Sequence, residues 1–318
     1  MNPDVIEAIP RLVERGILPA ERAPLLLRAA RRELVSVRLE LRLLLYLGVL
    51  LVTGGVGLLI KENLDRIGPV VIASALGLAA AAALAWVWRT APPFSWERVP
   101  SPGLAFDYVL LLGVLLAAAD LAYVEARFTP LGPNWPWHLL LVSLFAAAMA
   151  VRFDSRIVFS LALATFAAWR GVSVAHFGAG LLDTRDDLVR WNAIGCGVLF
   201  VVLGLVLARA GRKAHFEPAA VHLGCLLVLG GLASGLGDRG WAGWAAALLL
   251  AGAGLAAWAY GTRRFPLFAY GVLGGYLGLT RFVFEGVEAL GCFWIAFTSI
   301  LMILGLVAVQ RRMREPHR

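Results

Sequence analysis

The chain has 318 residues, of which 60% are hydrophobic and 16% charged, and its mean hydropathy is +0.78. A soluble domain is roughly half apolar and about a quarter charged, so these figures exclude a disordered chain and leave too little polar surface to cover a soluble core. The net charge of +8 is sorted by membrane side before any nucleic-acid role is considered, and that sorting accounts for it.

Residues 1–42 read as a cytoplasmic amphipathic helical hairpin. Val5, Ile6, Ile9, Leu12 and Val13 recur at helical spacing. Gly16 is expected to end that helix, and Pro19 opens a second one that runs to Leu34, Val37 and Leu41. Its other face carries Arg28, Arg31, Arg32, Arg38 and Arg42, the pattern of a helix lying along lipid headgroups. No cleavable leader is legible in this segment, so the first span is expected to act as the insertion signal.

Residues 43–310 read as a transmembrane helical bundle. A spanning helix needs about 20 mostly apolar residues, and ten runs qualify: 43–60, 68–88, 104–123, 137–151, 157–174, 191–209, 218–236, 241–260, 265–282 and 290–309. The fourth and fifth are separated only by Arg152-Phe153-Asp154-Ser155-Arg156, so they form either two spans or one tight hairpin. Residues 311–318 are a basic cytoplasmic tail. With the N-terminus inside, 21 of the 29 Lys+Arg fall on the cytoplasmic side and 8 on the other, the bias of the positive-inside rule. The expected fold is all-α, a polytopic membrane bundle of about ten helices, N-in and C-in. Anionic headgroups of the bilayer are the expected partners of its arginines. Short matches four spans apart, such as Arg156-Ile157-Val158-Phe159 with Arg264-Phe265-Pro266-Leu267, are compatible with a parallel duplication of spans two to five.

The N-terminal third carries Leu12-Val13-Glu14-Arg15-Gly16-Ile17-Leu18-Pro19-Ala20-Glu21, then the glycine-rich first span Leu47-Gly48-Val49 through Gly54-Gly55-Val56-Gly57, then Lys61-Glu62-Asn63-Leu64-Asp65-Arg66-Ile67. In these residues it resembles a family of bacterial membrane proteins known as domain of unknown function 2157. The family typically shows Asn-Trp-Asp where this chain has Asn63-Leu64-Asp65. Beyond about residue 90 the likeness rests on hydropathy and span order. The resemblance implies a multi-pass protein of the bacterial cytoplasmic (inner) membrane and supplies no activity.

An ionisable group inside a membrane is costly and marks a functional candidate. The candidates gather on the non-cytoplasmic side: Asn63 and Asp65 after span one, Asp120 in span three, His138 before span four, Arg170 at the end of span five, and Arg281 and Glu285 near the end of span nine. Asp120 is the deepest acid. Arg281 and Glu285, four apart, share a helix face and can pair. Asp183 and the acids after it read as a helix cap. His222 has no second ligand at helical spacing, so no metal site and no cofactor is expected. Gly231/Gly235 and Gly274/Gly278 have the GxxxG spacing of close helix packing. Cys196, Cys225 and Cys292 read as small buried hydrophobes, with a Cys196–Cys292 disulfide as the alternative.

No nucleophile–base pair, phosphate loop or metal motif is present, which weighs against an enzyme. The leading expectation is a membrane protein that binds or transports a small or lipid-like ligand through a non-cytoplasmic polar vestibule. The alternative is a structural or regulatory subunit acting through its N-terminal helices, with a second copy or another membrane protein as partner. A membrane-embedded enzyme on a lipid-linked substrate is the third reading. Nucleic acid is not an expected partner.

Overall fold

The computed structural model describes residues 9–10, 12–16, 18–19, 21, 23–24, 38–63, 68–177, 185–286 and 291–314. Among these the chain is all-helical, without strands. Ten long helices follow in order: α1 Arg38–Asn63, α2 Pro69–Thr90, α3 Leu104–Phe128, α4 Trp137–Phe153, α5 Arg156–Phe177, α6 Arg185–Ala210, α7 Glu217–Ser234, α8 Trp241–Gly261, α9 Phe265–Gly286 and α10 Gly291–Arg314. Each contains most of one apolar run. Several outrun it, as α3 and α10 do, because backbone hydrogen bonding continues the helix past the apolar stretch into charged residues.

Six helices are long and apolar enough to cross a membrane among the described residues: α2, α3, α6, α7, α8 and α9. Leu43–Gly55 and α4 are shorter apolar helices. The outward faces are apolar, with Leu78 71% and Leu250 73% exposed. That inverts the pattern of a soluble protein and suits contact with lipid tails.

The chain divides into two compact units, Met1–Leu59 and Ile60–Arg318. In the first, Gly16 takes a left-handed conformation (φ +69°) after a helical turn, the helix stop its position predicts. Thr53 in α1 returns its hydroxyl to the Val49 carbonyl at 2.8 Å.

In the second unit the helices pack as consecutive antiparallel hairpins: α2 with α3, α4 with α5, α6 with α7, and α8 with α9. Small residues set the tightest contacts. A Cβ on Gly197 of α6 would lie 2.6 Å from the Gly224 carbonyl of α7, and one on Gly252 of α8 would lie 2.4 Å from the Gly275 nitrogen of α9. Bare backbone at these positions lets the helices touch. The GxxxG glycines pack as well: Gly231 against Ile194, and Gly278 against the Ala245 carbonyl. The α4–α5 hairpin has a hydroxyl instead, Ser143 Oγ donating to the Ala162 carbonyl at 3.0 Å.

The four hairpin turns, 91–103, 154–155, 211–216 and 262–264, mark one end of the bundle, called here the turn end. The other end, where successive hairpins connect, is the loop end. At the α4–α5 boundary Asp154 adopts φ +63° and stops α4, and α5 restarts at Arg156. The two short runs are therefore two separate helices.

Candidate functional site

The turn end is built around one buried carboxylate. Asp154 Oδ1 lies 2.9 Å from Lys213 Nζ and 2.8 Å from His215 Nε2. The three side chains are 4%, 3% and 7% exposed. The histidine contact is one of proximity without hydrogen-bond alignment. The Val99 N–H donates to Asp154 Oδ2. Lys213 gives its own N–H to the Trp96 carbonyl at 2.8 Å, and its ammonium sits over the Phe94 ring. Three turns separated by more than fifty residues thus meet at one side chain. Next to them Arg264 pairs with the buried Glu217, tying the start of α9 to the start of α7. Asp154, Lys213 and Arg263 all hold left-handed backbone at these turns, a conformation that costs energy without glycine and persists where surrounding contacts enforce it. The buried Asp154–Lys213 and Glu217–Arg264 pairs give this end the chemistry of a brace.

The loop end differs. Two arginines clamp its α6–α9 side. Arg190, 5% exposed, reaches Asp187 at 2.7 Å, Asp238 at 2.6 Å and Ser234 Oγ at 3.0 Å, and stacks on Trp244. Arg281 donates to the Leu236 carbonyl at 3.0 Å and to Glu285 Oε2 at 2.8 Å, and stacks on Trp241. The predicted Arg281–Glu285 pair therefore exists, and it helps hold the loop after α7.

Elsewhere at this end, polar atoms lack partners. Of eight buried side-chain polar atoms without a hydrogen bond among the described residues, six lie in the loop-end halves of their helices: Asp120 Oδ1, Tyr123 Oη, Trp169 Nε1, Ser173 Oγ, Asn192 Oδ1 and Thr280 Oγ1. The other two, Ser155 Oγ and His215 Nε2, lie at the turn end; buried polar atoms are ordinarily satisfied, so the loop end carries the larger share of this cost.

Asp120 lies in a spanning helix about 12 Å along α3 from its loop-end terminus. Its Oδ2 sits 3.1 Å from where a Cβ on Gly77 of α2 would be, so glycine makes the room this carboxylate occupies. His138 Nδ1 lies 2.6 Å from the Trp135 carbonyl, and its ring stacks on that indole. Arg170 is exposed beside Trp169 and within electrostatic reach of Cys196 on α6. The structure brings Arg281 and Glu285 together and gives Asp120, His138 and Arg170 separate surroundings. The side chain of Asn63 and all of Asp65 lie outside the described residues, as do Asp183 and the side chain of Cys292. Cys196 and Cys225 are buried free thiols.

Sequence reasoning missed the Asp154 cluster and the Trp169, Ser173 and Asn192 group. One signal for the first was available: Asp154 is a lone acid between two arginines, and Lys213 is one of only two lysines in the chain. For the second group hydropathy carries no signal, since a serine, an asparagine or an indole barely alters an apolar run.

Residues 10–159, in the N-terminal part of the chain, match the family described as predicted membrane protein (DUF2157). The match runs through α4 into α5, well past residue 90. No curated protein and no solved structure matches the chain. With six helices among the described residues long and apolar enough to cross a membrane, the protein is a multi-pass membrane protein.

Proposed function

We propose, for a chain whose N-terminal part matches this family of predicted membrane proteins, that it is a ten-span protein of the bacterial inner membrane that binds or moves a small or lipid-like ligand from the non-cytoplasmic side. Residues 1–42 form its cytoplasmic helical hairpin, 43–310 its bundle and 311–318 its cytoplasmic tail. The turn end faces the cytoplasm and the loop end faces outward. The 21 to 8 division of Lys+Arg supports this orientation. So does the meeting at one end of turns that carry Arg98, Arg212, Lys213 and Arg264.

The observation that carries the ligand reading is Asp120. A carboxylate inside a spanning helix, facing a glycine and with a buried oxygen unbonded, is too costly to serve packing alone. The full chain would be purified as wild type, Asp120→Asn and Gly77→Leu, and the small molecules and lipids extracted with each compared by mass spectrometry. The reading expects a species retained by wild type and lost from both variants, with all three proteins equally well folded. Identical extracts would contradict it. Reporter fusions after Arg98, Arg212 and Arg239 test orientation: the first two should report cytoplasm and the third the opposite side.

A further inference from the structure

The turn end carries positive charge that its buried pairs leave uncompensated. Three exposed arginines stand on the three turns that meet at Asp154. Arg98 precedes Val99, whose N–H donates to Asp154 Oδ2. Arg156 follows Asp154 by two residues, and Arg212 precedes Lys213, the ion-pair partner of Asp154. The contacts that assemble the brace therefore gather these three arginines around one buried carboxylate. Arg98 and Arg156 both lie within electrostatic reach of His215, and Arg212 stacks on Trp96, 5.3 Å from the ring centroid. None of the three makes an ion pair among the described residues. The buried acids here are already committed, Asp154 to Lys213 and Glu217 to Arg264. Glu97, exposed beside Arg98, is the remaining acid of these turns. Three arginines against that one carboxylate leave the surface an excess of two positive charges.

The surroundings suit a bilayer surface better than open water. Trp96 is 53% exposed and meets Phe94 edge to face, with centroids 5.2 Å apart. Exposed aromatic rings of this kind settle at headgroup depth. On α6, which leads into the Arg212 turn, Val202, Val206 and Arg209 share one face and are all exposed. An apolar stripe thus runs along a spanning helix into the basic turn. Guanidinium groups bind phosphate through paired, charge-assisted N–H bonds, and basic surfaces at membrane level suit phosphate-rich headgroups. An excess of two positive charges matches a headgroup with two phosphates better than a headgroup with one. A zwitterionic headgroup would bring its own ammonium among the arginines.

We infer that the turn-end surface formed by Arg98, Arg156 and Arg212 beside Trp96 binds an anionic lipid with two phosphates, its acyl chains lying along α6. The site is at the opposite end of the bundle from Asp120 and goes beyond the ligand reading above. It needs only that the turn end meets a bilayer surface, on whichever side of the membrane. The exposed aromatic rings and the apolar stripe of α6 favour a lipid over a soluble diphosphate.

The test is native mass spectrometry of the full-length protein in detergent, titrated with cardiolipin, which has two phosphates, and with phosphatidylglycerol, which has one. Wild type should retain cardiolipin at least about tenfold better, the scale of one charge-assisted contact. Arg98→Gln with Arg156→Gln should abolish that preference, and Arg212→Gln should lower cardiolipin retention several-fold. Melting temperatures should not change, because all three side chains are exposed. Arg239→Gln makes the same charge change on an exposed residue at the loop end and should retain cardiolipin as wild type does. Equal retention of both lipids by wild type would overturn the site. So would a loss in Arg239→Gln as large as in the turn-end variants, since any surface arginine would then hold the lipid. Displacement of bound cardiolipin by millimolar pyrophosphate would overturn the lipid assignment in favour of a soluble diphosphate. Asp120→Asn should leave cardiolipin retention intact, so this site and the ligand reading stand or fail separately.

Discussion

The two ends of the bundle solve the same problem differently. At the turn end the buried charges are paired, Asp154 with Lys213 and the Val99 N–H, and Glu217 with Arg264, while Ser155 Oγ and His215 Nε2 make no hydrogen bond. At the loop end Arg190 and Arg281 clamp one side, while the half-buried Asp120, Ser173 and Asn192 each enclose an oxygen left unbonded. Buried polar groups that are fully satisfied rigidify a structure, and unsatisfied ones cost stability. The turn end braces the hairpins with buried ion pairs, and the loop end carries most of the unsatisfied polar atoms. Proteins commonly carry such costs at functional sites and offset them elsewhere.

The largest effect should come from the brace. Asp154→Ala strands a buried lysine and the Val99 N–H, and breaking a buried ion pair from one side costs about 3–5 kcal/mol. The melting temperature of the purified protein in nanodiscs should fall sharply. Adding Lys213→Met should restore much of the loss, because the uncompensated charge goes with it.

Next in size is helix contact. Gly252→Val drives a side chain into the α9 backbone at Gly275 and Gly271, and overpacking of this kind costs about 1–3 kcal/mol or more. Gly254→Val, two residues on, meets nothing within 4 Å. It should melt close to wild type, which makes it the internal control for β-branching in the same helix.

Glu217→Gln should cost less, about 1 kcal/mol, since its partner Arg264 is 39% exposed and water reaches the guanidinium. A loss equal to that of Asp154→Ala would mean that the brace is spread over both pairs rather than centred on Asp154.

The smallest effect sharpens the contrast most. Ser173→Ala removes a hydroxyl that bonds nothing. Deleting an unsatisfied buried polar group is neutral or mildly stabilising, by up to about 1 kcal/mol. In lipid-free detergent this variant should melt at or above wild type.

The helices were legible because hydropathy is a property of contiguous residues, and each of the ten apolar runs contains its own signal. The doubtful boundary at 152–156 resolves into a one-residue stop at Asp154, whose left-handed φ no apolar count can register. The Arg281–Glu285 pair was legible for the same reason, as partners four apart on one helix. The Asp154 cluster was not, because its members come from three turns and meet only after the hairpins have packed. The Trp169, Ser173 and Asn192 group stayed hidden because its meaning lies in missing bonds, which depend on what every neighbour does. Asp120 stood out in sequence as a deep acid, but the glycine that accommodates it is forty-three positions away on another helix.

The central claim, that the turn end stabilises the bundle and the unbonded polar groups of the loop end do not, is tested most directly by one paired melting experiment. The full chain carrying Asp154→Ala would be compared with the full chain carrying Ser173→Ala and Asn192→Leu together, in the same lipid-free detergent. The account predicts a large drop for the first and no drop, or a small rise, for the second. A comparable drop for both would mean that the loop-end polar groups are structural, and the division between the ends would fall.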